Sequence, residues 1–170
     1  MKKYILIGFI LSIASLVCNA QSVAATPNHQ FSKVEIAYRS QDCSFQFSPV
    51  NFCDDKHVAA INSALSEQAP NFNGHYILLT ISEYPRYHQR SVVAIDTNTG
   101  VVYPLPIDAY SGPTDKSGNT SKDGKVTLDL KSNKVCIDGT ILVYRALEHG
   151  KFCFTFEGHK FVGHHTTYMD

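Results

Sequence analysis

After its first twenty residues the chain has no apolar run approaching the roughly 20 residues that a membrane-spanning helix needs, so no stable membrane insertion is expected. It has no excess charge of either sign, with 15 basic residues against 15 acidic ones, which leaves no electrostatic reason to bind nucleic acid or anionic lipid. A C-x-x-C pair is absent, which argues against zinc. So are the G-x-S-x-G nucleophile turn and the H-E-x-x-H metalloprotease helix. Asp115, Ser117 and Asn119 with Asp123 have the alternation of a calcium loop, but the glutamate that would close an EF-hand is missing. No internal repeat is visible. These absences lead us to expect no catalytic set, no metal and no cofactor.

What is present begins with export. Met1, Lys2 and Lys3 form a positive start, residues 4–17 are apolar or small, and Cys18-Asn19-Ala20 ends on a small residue. This is the pattern of a cleaved secretory signal over residues 1–20, with an alternative cleavage up to residue 25 at Ala24 or Ala25. Val17 is too large for the residue before a lipidated cysteine, so Cys18 reads as part of the signal. Cleavage removes Lys2 and Lys3 but no acid, so 13 basic residues then face 15 acidic ones, a net charge of −2. Residues 21–170 are the size of one domain with a real core.

Cys43, Cys53, Cys136 and Cys153 remain. An even number in an exported chain predicts two disulfides, with three possible connectivities. Local pairing is favoured, since Cys43 and Cys53 bracket a short loop. Cys136 and Cys153 sit in strand-like runs with one further strand expected between them.

Residues 31–39 alternate as an opening strand. A helix is expected from Asp54 or Asp55, with Val58, Ile61 and Leu65 on one face, acids at its start and Pro70 beyond its end. Strand signals follow at residues 75–81, 91–96, 101–105, 125–130, 134–137, 140–147 and 151–156. Turns are expected at residues 97–100, 131–133, 138–139 and 149–150, where glycine, asparagine or small polar residues occur. The expectation is an α+β domain: a mostly antiparallel β meander with one amphipathic helix packed on it and two disulfides.

Residues 106–124 break the rhythm as a long Gly, Ser, Asp and Lys-rich loop, the kind that is mobile or functional in compact domains. Residues 83–90 hold two tyrosines, two arginines, a histidine and a proline, a composition suited to an interface. Tyr84, Arg86, Tyr87 and Tyr110 are therefore the expected partner-binding anchors, with Asp108, Asp115 and Lys116 supplying charge. Among the eight histidines, His57 is expected to pair with or be capped by Asp54. His75 is expected in a buried strand, with Asp96 or Glu83 as the acids that would accompany it if it were a base. His159, His164 and His165 read as a solvated tail, because neighbours on a strand point apart.

Asn71-Phe72-Asn73-Gly74-His75-Tyr76, Asp96 with Thr99-Gly100-Val101-Val102-Tyr103, and Phe154-Thr155-Phe156-Glu157-Gly158 carry a resemblance. They are similar to the N-F-x-G-H-Y segment, the D-x-x-T-G-x-V-Y hairpin and the aromatic-x-aromatic-x-G repeat of a group of small secreted bacterial proteins. That group's cysteine-bearing glycine loop after G-H-Y is replaced here by residues 83–90. In kind, a small exported disulfide-braced chain also resembles the periplasmic immunity proteins made against wall-degrading toxins of type VI secretion. The resemblance implies a periplasmic inhibitor whose partner is a cognate secreted toxin, and the alternative is an envelope hydrolase or ligand-binding protein using His75.

Overall fold

The structure is a computed structural model that describes residues 30–117 and 119–170. Residues 1–29, which include the expected signal and His29, lie outside the described residues.

Helix α1 runs Asp55–Glu67. Asp54 caps it, its carboxylate accepting the His57 amide at 2.9 Å, and Asp55 adds negative charge to the first turn. The helix ends at Gln68, whose extended backbone still donates to the Ala64 carbonyl at 2.9 Å. Its buried face is His57, Ile61, Ala64 and Leu65, so His57 occupies a core position and Val58 is only half-buried.

The strands are β1 (Lys33–Val34), β2 (Ser40–Gln41), β3 (Ser44–Phe45), β4 (Tyr76–Tyr84), β5 (Gln89–Asp96), β6 (Val101–Pro104), β7 (Ala109–Ser111), β8 (Lys125–Thr127), β9 (Lys134–Val143), β10 (Ala146–Glu157) and β11 (Lys160–Gly163). β4, β5 and β6 pair in succession, as do β9, β10 and β11, all antiparallel. Strand β7 joins the two groups, pairing with β5 at Arg90 and with β9 at residues 140–142. Two features depart from a plain meander. β6 and β7 share one edge of β5, and β1 adds to β6 in parallel, so only two residues of the expected opening strand enter the sheet. Val92, Val93, Ala94 and Ile95 of β5 are all buried, which fits a central strand covered on both faces. Tyr76, Tyr103, Phe156 and Phe161 bring β4, β6, β10 and β11 to one aromatic core, with Tyr76 and Tyr103 lying 5.0 and 5.4 Å from Phe156 by ring centroid.

Both disulfides have the local connectivity. Cys43 and Cys53 close a surface loop with Cα atoms 5.6 Å apart, and Cys136 and Cys153 are direct partners across β9 and β10 at 4.1 Å. No strand separates the latter two, because residues 138–139 and 149–150 do not turn. Gly139 and Gly150 face each other inside one long ladder. Gly139 has φ +152°, and a Cβ there would lie 2.2 Å from the Ser111 carbonyl oxygen, so its glycine admits β7 to the edge of β9. The actual turn between β9 and β10 is at Tyr144 and Arg145, with Tyr144 at φ +56°.

The long loop is also shorter than its composition suggests. Residues 106–112 are buried and include β7, leaving residues 113–117 and 119–124 as the described surface excursion.

Candidate functional site

Strand β4 ends in an irregular register between Ser82 and Tyr84, and the chain then makes a single 3₁₀ turn over Pro85–Tyr87. Proline fixes φ at the first position, and His88 closes the turn in the left-handed region, its amide donating to the Pro85 carbonyl at 3.1 Å. The turn presents Tyr84 and Tyr87 to solvent at 45% and 38% exposure. The Arg86 guanidinium stands over the Tyr87 ring, 5.8 Å from its centroid.

Asp123 braces this turn from the surface excursion. Its carboxylate meets His88 Nδ1 at 3.0 Å and accepts from Arg90 Nη2 at 2.9 Å. The His88 hydrogen bond and the Arg90 charge hold the Asp123 carboxyl below its usual range. The structure thereby joins the Asp123 end of the surface excursion to the base of the 84–90 turn. Asp115 and Lys116 are exposed on that excursion. Asp115 accepts the backbone amides of Ser117 and Asn119 at 2.8 and 2.9 Å, which lowers its pKa and ties its carboxylate to its own turn. Of the oxygens in the calcium-like alternation, Asp115 thus faces amides, and Asp123 faces a guanidinium and an imidazole.

Asp108 and Tyr110 are corrected. Asp108 is 1% exposed and Tyr110 is 3% exposed, because residues 106–112 enter the core between β5 and β9, so neither can be a partner anchor. Asp108 instead accepts the Tyr168 hydroxyl at 2.5 Å. Burial raises the Asp108 pKa against the opposing hydrogen bonds from Ser48, Tyr168 and the Tyr144 amide. The same contact corrects the tail, since Tyr168 is fully buried and docks the C-terminus.

The histidines separate into distinct settings. His75 lies in the turn before β4, partly exposed rather than buried in a strand, with Nε2 3.4 Å from Asp96 Oδ1. That Asp96 oxygen also accepts the Asn98 amide at 2.8 Å. Glu83 is remote from this pair and serves His57. His57 Nδ1 is 2.7 Å from Asp54, and Nε2 is 2.8 Å from Glu83. Lys56 Nζ and Ser91 Oγ each donate to Glu83 at 2.5 Å.

Burial alone would push the His57 imidazole down, but hydrogen bonds to Glu83 and Asp54 outweigh it and raise its pKa. Burial would push Glu83 up, but hydrogen bonds from His57, Lys56 and Ser91 outweigh it and lower its pKa. With a carboxylate on each ring nitrogen, the setting favours the His57 imidazolium, and neither nitrogen is free to act as a base. Its proximity to Asp54 was legible from the helix start. Its link to Glu83 spans 26 residues and had no sequence signal.

His159 lies against Tyr103, His164 Nε2 is 3.0 Å from Glu148, and His165 Nε2 is 3.1 Å from Asp170. Among the described residues, no three potential metal ligands of the His, Cys, Asp and Glu types converge, and no helix is long and apolar enough to cross a membrane.

Comparison with protein families, with curated proteins and with solved structures finds no match to this chain. The two disulfides themselves indicate folding in an oxidising, exported compartment.

Proposed function

We propose that the protein is a periplasmic immunity protein that binds and occludes a secreted antibacterial toxin, of the peptidoglycan-targeting kind delivered by type VI secretion. The observation that carries the reading is the Tyr84–Arg86–Tyr87 turn. Two tyrosines and an arginine project from a proline-fixed turn whose base is clamped by Asp123, where small polar residues would suffice to reverse the chain. Tyrosine and arginine give large contact area, and a braced turn loses little freedom on binding. Occlusion needs shape and charge complementarity in an enzyme's cleft and no catalytic group on the inhibitor. Asp115 and Lys116 supply charge at the rim, and the resemblance in kind to exported immunity proteins points the same way.

The test is periplasmic expression of the exported product of the neighbouring gene, with and without this protein, followed by titration of the purified pair. Protection from lethality is expected. Replacing Tyr84, Arg86 and Tyr87 together by alanine should cost about 2 kcal/mol or more of binding, and Lys116→Ala under about 1 kcal/mol, mainly through association rate. Unchanged affinity in the folded triple variant refutes this surface.

One observation favours a second reading, an envelope hydrolase or ligand-binding protein. His75 is partly exposed and faces Asp96, an arrangement that could orient an imidazole as a base. A folded His75→Gln variant that loses turnover of an envelope substrate would favour it. Retention of protection by that variant favours the inhibitor.

A further inference from the structure

The Cys43–Cys53 loop, the turn between β9 and β10, and the C-terminal tail meet on another part of the surface. Tyr168 joins them: its ring stacks on Phe45 at 5.1 Å, its hydroxyl accepts the Tyr144 amide at 2.7 Å, and its carbonyl accepts from the Arg39 amide at 3.3 Å. The disulfide loop forms an open hollow of about 390 Å³, at the lower end of the roughly 300–1,000 Å³ range of small-molecule sites. Gln41, Asp42, Ser44, Phe47, Ser48 and Asn51 are among its lining residues.

Two features here work against stability and coincide. Phe47 and Tyr144 have φ of +72° and +56°, a region that aspartate tolerates, as at Asp42 with φ +52°, but that is unfavourable to bulky side chains. Phe47 is also 60% exposed, and its ring packs at 5.2 Å against Tyr144, itself exposed. A loop selected only to fold would place glycine or a small polar residue at such positions. Instead the backbone is held so that two aromatic rings face water beside a polar hollow.

The lining chemistry restricts what could occupy it. The polar groups are two amides, two hydroxyls and one carboxylate, with no lysine or arginine among them. Asn51 Oδ1 already accepts the Cys53 amide at 2.9 Å, which leaves its amide nitrogen to donate. Ser48 Oγ accepts the Val50 amide at 3.1 Å and gives its proton to Asp108, so it is already satisfied within the protein. An apolar ligand would leave the amides unpaired, and Asp42 opposes an anion. Arg145, over the Tyr144 ring at 5.2 Å, opposes a cation on the aromatic side. An uncharged ligand with many hydroxyls and one apolar face satisfies every element.

We propose that this hollow is a binding site for a neutral saccharide, with a sugar ring stacked on Phe47 beside Tyr144 and its hydroxyls meeting Gln41, Asp42 and Asn51. The site shares no residue with the Tyr84–Tyr87 turn, so it stands whether or not the inhibitor reading does.

The experiment is a two-dimensional amide NMR titration of the isotope-labelled mature protein with tri-N-acetylchitotriose and, separately, maltotriose. At least one should give saturable shifts confined to residues 41–51 and 144–147, with a Kd of about 1 mM or tighter. Phe47→Ala should weaken that binding about tenfold, and Phe47→Tyr, which keeps the ring, should retain it. The spectra themselves report whether each variant is folded. No saturable shift with either sugar, or shifts undiminished in folded Phe47→Ala, overturns the site. Shifts at residues 41–51 produced only by a protein partner overturn it too, in favour of a protein contact.

Discussion

Replacing His57 tests whether a buried charge clamp joins the helix to the sheet. The imidazolium sits between Asp54 at the helix start and Glu83 at the end of β4, and Glu83 is 4% exposed in its side chain. His57→Gln keeps a hydrogen-bonding group of similar reach but removes the charge. Breaking a buried pair by removing one partner costs about 3–5 kcal/mol, because the other charge stays buried. Here Lys56 and Ser91 remain on Glu83, so the lower end, about 3 kcal/mol, is expected. Glu83→Gln should cost less, about 1–2 kcal/mol, since an imidazole deprived of that carboxylate can shed its proton. If the two residues act as a unit, the double variant should cost less than the sum of the single ones by about 1 kcal/mol or more.

The pH dependence has a definite sign. The folded His57 pKa is raised, so its stabilisation is complete below about 6.5, the ordinary histidine value, and is lost as pH rises through the raised value. The folded Glu83 pKa is lowered, so its contribution is present above the ordinary glutamate value of about 4.3 and is lost as pH falls through the lowered one. Urea unfolding of the disulfide-intact protein should therefore show stability falling on the alkaline side in wild type, and falling less in His57→Gln. The chain has no tryptophan, so far-UV circular dichroism is the suitable probe. Additive single-variant costs, or identical alkaline slopes in wild type and His57→Gln, refute the clamp.

Gly139→Ala should destabilise by several kcal/mol or prevent folding, because its Cβ would collide with backbone rather than a movable side chain, and thermal melting reads it directly. Gly150→Ala, opposite it, meets only the Phe152 ring at 3.7 Å but has the same φ of +152°, so the smaller cost expected there isolates backbone strain from collision. Tyr168→Phe removes a hydroxyl that donates to Asp108 and accepts from Tyr144, and should cost about 1–3 kcal/mol by denaturant titration. Neither disulfide should leave a thiol alkylated without prior reduction, and loss of each bridge should cost about 3 kcal/mol by the chain-entropy argument, measured on the paired Cys→Ser variants.

The sequence disclosed those parts of the fold whose causes are local. Asp54 and Asp55 before an apolar periodicity marked the helix, and alternating or continuous apolar runs marked β4, β5, β6 and β10. Gly139 and Gly150 misled because the same residue serves two needs. A glycine gives a turn its positive φ, and it also gives a neighbouring strand room to approach, and only the position of Ser111, 28 residues earlier, separates the two. Tyr144 misled in the opposite sense, an aromatic residue turning the chain where no turn chemistry is written. Residues 106–112 looked like loop because Pro106, Asp108 and Gly112 are loop formers, yet Ile107, Ala109 and Tyr110 carry enough apolar surface to draw the segment inside.

The candidate site divides along the same line. Tyr84, Arg86 and Tyr87 could be read as exposed because they surround a proline between two strands, and their exposure follows from that short connection. Asp108 could not be distinguished from a surface acid, since its burial depends on Tyr168 arriving 60 residues later to take one of its oxygens. That dependence carries a consequence for the molecule. Tyr168 holds the Tyr144 backbone through the same hydroxyl, and its ring lies on Phe45 in the disulfide loop. The buried aspartate, the docked tail and the exposed aromatic pair are thus one assembly, in which the geometry of Phe47 and Tyr144 at the surface is fixed from beneath. Burial works against the charged Asp108 carboxyl and raises its pKa, and the hydrogen bonds from Ser48, Tyr168 and the Tyr144 amide are what oppose that cost, so the carboxyl is tied to the disulfide loop, the β9–β10 turn and the tail at once.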